Sequence, residues 1–220
     1  MTQLFIHLFN VSVSAGFFIF AILIFRLVFK KAPKFISVLL FGLVGIRLVL
    51  PISIESDISL VPSKSTLPDG IELERYPMID SGIPTINEIV NPYFENSFAP
   101  TPEMSANPLQ ILLAAVSYVW LAVTLAMLLY LIVSYAFLRI RLRESVPYSE
   151  NVYISDYAKT PFILGIIRPK IYVPSQTRAE IIPLILAHEE AHLARWDHIW
   201  KPLAFILLAV YWFNPFIWLA

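Results

Sequence analysis

Apolar residues run almost unbroken through three long stretches of the chain, and polar positions collect in the gaps between them. Residues 4–29 carry no charge before Arg26, residues 35–54 are interrupted only by Arg47 and Pro51, and residues 109–138 carry no charge at all. Stretches of this length can cross ~30 Å of hydrocarbon as helices, which predicts three transmembrane helices. The first run is too long for a signal-peptide core and follows no basic segment, so it reads as an uncleaved span. Aromatic residues near both ends of the third (Tyr118 and Trp120; Tyr130, Tyr135 and Phe137) suit an interfacial belt, or packing between helices.

The pattern changes after Arg143. "NVYIS", "PFILG" and "KIYVP" are short β-type runs separated by Lys159-Thr160-Pro161 and Ile167-Arg168-Pro169, and they predict two or three antiparallel strands. "SQTRAEIIPLILAHEEAH" then starts a helix, with Ser175 or Thr177 as its cap and Glu180 in capping-box spacing from Thr177. The predicted architecture is a membrane α-helical protein with a small cytoplasmic α+β domain. Its parts are helices one and two in residues 1–54, a loop in 55–108, helix three in 109–138, and the α+β domain in 139–220.

Composition agrees with a bilayer-embedded chain, since 58% of residues are hydrophobic and only 15% are charged. A formal net charge of zero gives no basic surface, so no direct nucleic-acid partner is expected. The chain has no cysteine, so any metal must be held by His, Asp or Glu.

Charge also sets the orientation. Arg26, Lys30, Lys31 and Lys34 lie between spans one and two, and Arg139, Arg141 and Arg143 follow span three. Loop 55–108 holds only Lys64 and Arg75 against Glu55, Asp57, Asp69, Glu72, Glu74, Asp80, Glu88, Glu95 and Glu103. The positive-inside rule puts the amino terminus and this loop outside, and everything from Arg139 onward in the cytoplasm of a bacterial cell. Pro62, Pro68, Pro77, Pro84, Pro92, Pro100, Pro102 and Pro108 are too closely spaced for long helices, which predicts an extended loop whose acidic groups are solvated.

Three of the four histidines lie in "LILAHEEAHLARWDH", residues 184–198. His188-Glu189-Glu190-Ala191-His192 fits HExxH: positions i and i+4 share one helix face, so both imidazoles can reach one Zn²⁺. Glu189, rotated by ~100° from His188, stands where a general base can handle a water held by the metal. Glu190, ~200° away, faces elsewhere. A His-Glu-Glu-His cluster on so apolar a helix is costly unless its polar groups are satisfied, and metal binding satisfies them. On a continuous helix Asp197 and His198 would lie ~180° and ~80° from His188, off the ligand face, while Asp156 and Glu180 have no support from spacing. The predicted site is therefore His188 and His192 as zinc ligands with Glu189 as the catalytic carboxylate.

"TPFILGIIRPKIYVP", "HEEAHLARWDH" and "YWFNPFIWLA", in that order, resemble the BlaR/MecR-type membrane metallopeptidases, the β-lactam sensor-transducers and their relatives. The likeness covers residues 161–220 well; the preceding spans match in number and orientation. It implies a zinc metalloendopeptidase that converts an extracellular signal, such as an antibiotic, into cytoplasmic proteolysis of a transcriptional repressor. It also implies a third zinc ligand, a glutamate in an acidic stretch beyond Ala220, followed by a sensor domain, so the chain reads as an amino-terminal portion. The expected partners are a lipid bilayer, that protein substrate, and a second copy in a homodimer. If residues 199–220 crossed the membrane once, the downstream ligand would emerge on the wrong side. The uninterrupted portion, 199–213, is only ~22 Å long, and Asn214-Pro215 offers a turn, so a re-entrant apolar hairpin is favoured over a fourth span with a proline kink. Two rival readings are a membrane zinc protease of the heat-shock or prenyl-protein-processing type, and a receptor with a structural metal site. The Pro-Lys-Ile and Trp-Phe-Asn-Pro segments fit the first less well, and the intact Glu189 argues against the second.

Overall fold

The computed structural model describes residues 1–29, 34–49, 66–68, 70–74, 77–98 and 108–219. They divide into two units, residues 1–125 with 207–220, and residues 126–206.

The first unit is built on α1 (Thr2–Val28), α2 (Lys34–Val49) and the first part of α4 (Pro108–Arg141). Among the described residues, two stretches are long and apolar enough to cross a membrane: α1, and α4 with the 3₁₀ turn that follows it. The apolar run expected as the second span forms α2, whose 16 residues cover about 24 Å, short of the ~30 Å hydrocarbon core, and its expected continuation through residues 50–54 lies outside the described residues. Ala15, Ile19 and Ile22 of α1 meet Val44 and Leu48 of α2 in a buried cluster completed by Tyr211.

The described part of the segment between α2 and α4 is more ordered than its prolines predict. It contains a 3₁₀ turn at Ile71–Leu73 and a helix, α3 (Pro84–Phe98). Pro84 occupies the first helical turn, where its missing N–H costs nothing. Pro92 lies inside the helix, at an expected cost of ~3 kcal/mol or more. Opposing that cost, Phe94 and Phe98 pack against a cluster of Ile6, Ile71, Leu109 and Leu113. The side chains of Asn87 and Asn91 accept hydrogen bonds from the backbone N–H of Ser81 (2.8 Å) and Ile79 (2.9 Å). The segment is tied to α1 by Asn10, whose Nδ2 donates to the Leu67 carbonyl (2.8 Å) and whose Oδ1 accepts from the Leu67 N–H (2.9 Å). Gln3 Nε2 donates to Glu72 at 2.6 Å. Glu72 is only 7% exposed, so the expectation of solvated acidity fails for this carboxylate.

Residues 207–219 belong to this unit. The last apolar helix, α6 (Asp197–Val210), ends three residues before the expected Phe213. Irregular backbone leads to α7 (Pro215–Leu219), so the turn expected at Asn214-Pro215 is present.

The second unit carries a four-stranded sheet of β1 (Val146–Ser149), β2 (Val152–Ser155), β3 (Phe162–Leu164) and β4 (Lys170–Pro174), in the order β1-β2-β4-β3. The expected antiparallel set is corrected to a mixed sheet: β1/β2 and β3/β4 are antiparallel, but β2 and β4 run parallel. Val152, Ile171 and Val173 of the two inner strands form the core under the next helix, which explains their central placement. β1 escapes the sequence pattern because all four of its residues are exposed and one is Pro147. The β3–β4 connection turns on Gly165 at φ +113°, where a Cβ would stand 2.7 Å from the Arg168 carbonyl oxygen.

Ile185, Leu186 and Leu193 of α5 (Ile182–Ala194) pack on that core with Ile163. The expected capping box at Thr177 and Glu180 is not formed. A 3₁₀ turn at Ala179–Ile181 precedes the helix, which begins at Ile182 with Pro183 in its first turn. A helix begun at Arg178 would carry Pro183 in its interior and lose a hydrogen bond there.

Candidate active site

On α5, Ile182, Ile185, Leu186, Glu189 and Leu193 follow the i, i+3, i+4, i+7 rhythm of one face, and this face is turned to the sheet. Glu189 shares it at 9% exposure, while His188 and Glu190 are exposed and His192 is half-buried. The predicted separation of Glu189 from Glu190 is therefore present, with the first carboxylate turned inward and the second in solvent.

His188 and His192 converge. Their Nε2 atoms are 3.3 Å apart and their rings meet edge to face at 82°. Two nitrogens bound to one tetrahedral zinc at ~2.0–2.1 Å would stand ~3.3–3.4 Å apart. The pair fits two positions of a zinc site. Among the described residues, no third His, Asp or Glu gathers around them, so Asp156, Glu180 and His198 do not complete a ligand set.

Asp197 is where the sequence reading needs correction. A continuous helix would carry it away from the ligand face, but α5 ends at Ala194 and Trp196 adopts the left-handed φ of 63°. The helical path breaks there, and Asp197 Oδ2 comes to 2.5 Å from Nδ1 of His192. That hydrogen bond holds the Asp197 carboxyl below the usual carboxylate range; burial opposes the shift, and the nearby Arg195 charge adds to it. An ionised carboxylate requires Nδ1 to be the donor, which leaves Nε2 with its lone pair free for a metal. Arg195 Nη2 is 2.9 Å from the same Nδ1 and 3.6 Å from Asp197 Oδ2. Two donors cannot share a hydrogen bond, so the partner of the guanidinium is the carboxylate.

Helix periodicity misses Asp197 because it assumes no break, and a tryptophan gives no warning of left-handed backbone. The available signal is an acidic residue in the first turn of a second apolar helix, which marks a new helix start.

β3 is an edge strand that packs against α5 and pairs with β4 in the register Phe162↔Tyr172, Ile163↔Ile171, Leu164↔Lys170. Ile163 faces α5, while Phe162 stacks on Tyr172, which stacks on Tyr153. Lys170 Nζ lies 4.2 Å from the Tyr153 ring centroid and donates to the Tyr153 hydroxyl at 2.8 Å. Burial is the main cause that raises the Tyr172 phenol.

A paired-histidine helix on a small sheet stands in a chain that has, among its described residues, two apolar helices of membrane length. The sequence model of the BlaR1 peptidase M56 family matches residues 6–220, and the chain belongs to that family. A stretch of 81 residues is 33% identical to "Regulatory protein BlaR1" of Bacillus licheniformis, covering 34% of this chain and 14% of that relative.

Proposed function

We propose that the chain is an integral membrane zinc metalloendopeptidase that converts an extracytoplasmic signal into cytoplasmic proteolysis, with a transcriptional repressor as the substrate. The observation that carries this reading is the 3.3 Å convergence of the His188 and His192 Nε2 atoms beside the inward-turned Glu189. His188 and His192 would hold the metal, with the downstream glutamate that the family resemblance implies as the third ligand. Zinc bound there would polarise the scissile carbonyl and make a water acidic enough to attack at neutral pH. Glu189 would serve as the general base that accepts a proton from that water and as the acid that returns it to the leaving amine. The edge of β3 offers main-chain hydrogen bonds to an extended substrate, a common use of such strands.

The signalling part of the reading is supported by the word "regulatory" in the relative's name. The orientation rests on the Lys/Arg distribution and on the hydrogen bonds of Gln3 and Asn10 with the outer segment, which keep the amino-terminal part of α1 beside Leu67 and Glu72. The hairpin reading rests on the sealed turn before α7. Purified full-length protein should contain about one zinc per chain on this coordination logic. Because the chain has no cysteine, Glu88→Cys and Ser149→Cys give clean single labels at exposed positions. The first should react from outside intact cells and the second only after permeabilisation. Zinc-free protein would overturn the enzymatic reading, and labelling of both from one side would overturn the topology.

A further inference from the structure

We propose that Asp197 is a positioning residue of the metal centre, holding His192 in the tautomer and ring rotation that turn Nε2 toward the metal, and that the left-handed backbone of Trp196 is the hinge that delivers it. This inference rests on the zinc-peptidase reading above.

In a continuous helix, residue i+5 lies ~140° around the axis and ~7.5 Å along it from residue i. Asp197 could not reach His192 from there, yet the two side chains are 2.5 Å apart. The two-residue break makes the contact. Trp196 N–H donates to the Leu193 carbonyl at 2.9 Å, closing α5. The Trp196 carbonyl then accepts from Ile199 (2.9 Å) and Trp200 (3.1 Å), opening α6. One residue therefore ends one helix and starts the next, and its φ of 63° breaks the helical path between them.

Left-handed backbone is unfavourable for a bulky side chain and persists where the surroundings impose it. The indole of Trp196 is 61% exposed, so burial of its own side chain is not what holds the conformation. The close polar contact on its far side is Asp197 with His192, with Arg195 at 3.6 Å from the same carboxylate oxygen. A histidine ligand whose second nitrogen donates to a carboxylate is locked in rotation and tautomer, and loss of such a partner typically costs 10–100-fold in metal affinity. The competing role for Asp197 is purely structural, as an acidic residue in the first turn of α6. That role predicts a change in helix stability without a change in zinc affinity.

The test measures the zinc dissociation constant of the full chain in detergent by chelator competition, alongside the melting temperature of the metal-free protein. Asp197→Ala should weaken zinc binding toward the 100-fold end of that range and Asp197→Asn toward the 10-fold end. Nitrogen-15 shifts of the His192 ring in the metal-free protein should report the proton on Nδ1 in the wild type and a tautomer mixture in Asp197→Asn. Trp196→Gly, which accepts left-handed backbone freely, should keep wild-type affinity, and the β-branched Trp196→Ile should lose it. Wild-type zinc affinity in Asp197→Asn, with an unchanged His192 tautomer, would overturn this inference and leave the zinc reading standing. A wild-type chain that binds no zinc would overturn the reading beneath it.

Discussion

The two ends of α6 are both helix breaks, made by opposite means. At its start, Arg195 and Trp196 are exposed, the backbone is left-handed, and the polar contacts that follow point to the paired histidines. At its end, Tyr211 and Asn214 are buried and their polar groups are met by neighbouring chain. The Trp120 indole donates to the Val210 carbonyl (2.8 Å), the Tyr211 hydroxyl to the Leu48 carbonyl (2.8 Å), and Asn214 Nδ2 to the carbonyl (2.9 Å) and hydroxyl (2.8 Å) of Ser12. Asn214 Oδ1 also accepts from the Phe216 N–H, starting α7. The first break brings Asp197 to the paired histidines, and the second is held by packing and buried hydrogen bonds. Irregular backbone surrounded by apolar side chains persists only when its hydrogen bonds are supplied locally, and the second break supplies them.

That contrast can be broken or sharpened by substitution. The largest effect is expected for His188→Ala with His192→Ala, which should eliminate zinc from the purified protein and proteolysis with it; retained zinc would place the metal elsewhere. Next, Glu189→Gln should lower the cleavage rate by ~10²–10⁴ with zinc still bound, as loss of a proton-transfer group does. Glu190→Gln should leave the rate near normal, and equal losses in the two would show that the helical phasing carries no functional meaning. At the packed break, Asn214→Ala should cost about 1–3 kcal/mol in chemical denaturation, because it orphans the groups of Ser12 and removes the start of α7. Zinc affinity should not follow that stability loss. The smallest effect is expected for Tyr211→Phe, which removes one hydrogen bond and keeps the packing, at about 1 kcal/mol.

Features that depend on local periodicity were legible in the sequence; those that depend on chain reversal were not. The apolar runs of α1 and α4 announce membrane-length helices, and i, i+4 spacing places His188 beside His192 and turns Glu189 from Glu190. The four-stranded order needs the pairing of β2 with β4 across the intervening β3, which no local pattern encodes. α3 is hidden by the close spacing of its prolines, although Pro84 stands where a helix tolerates one and the packing of Phe94 and Phe98 opposes the cost of Pro92. Asp197 is hidden by the tryptophan before it, whose left-handed backbone brings together two groups of the candidate site.

The double hydrogen bond between Asn10 and Leu67 has a consequence for how this chain can vary. A carboxamide that gives to a carbonyl and takes from an N–H of the same residue imitates a neighbouring strand, and reads main chain alone. Residue 67 can therefore be exchanged for any apolar side chain that fits its cluster, while position 10 is confined to the one amide of that reach. Substitutions around Leu67 are cheap at this anchor, and insertions or deletions that shift its register are costly. Homologous segments between α2 and α4 should thus diverge in composition sooner than in their spacing from this anchor.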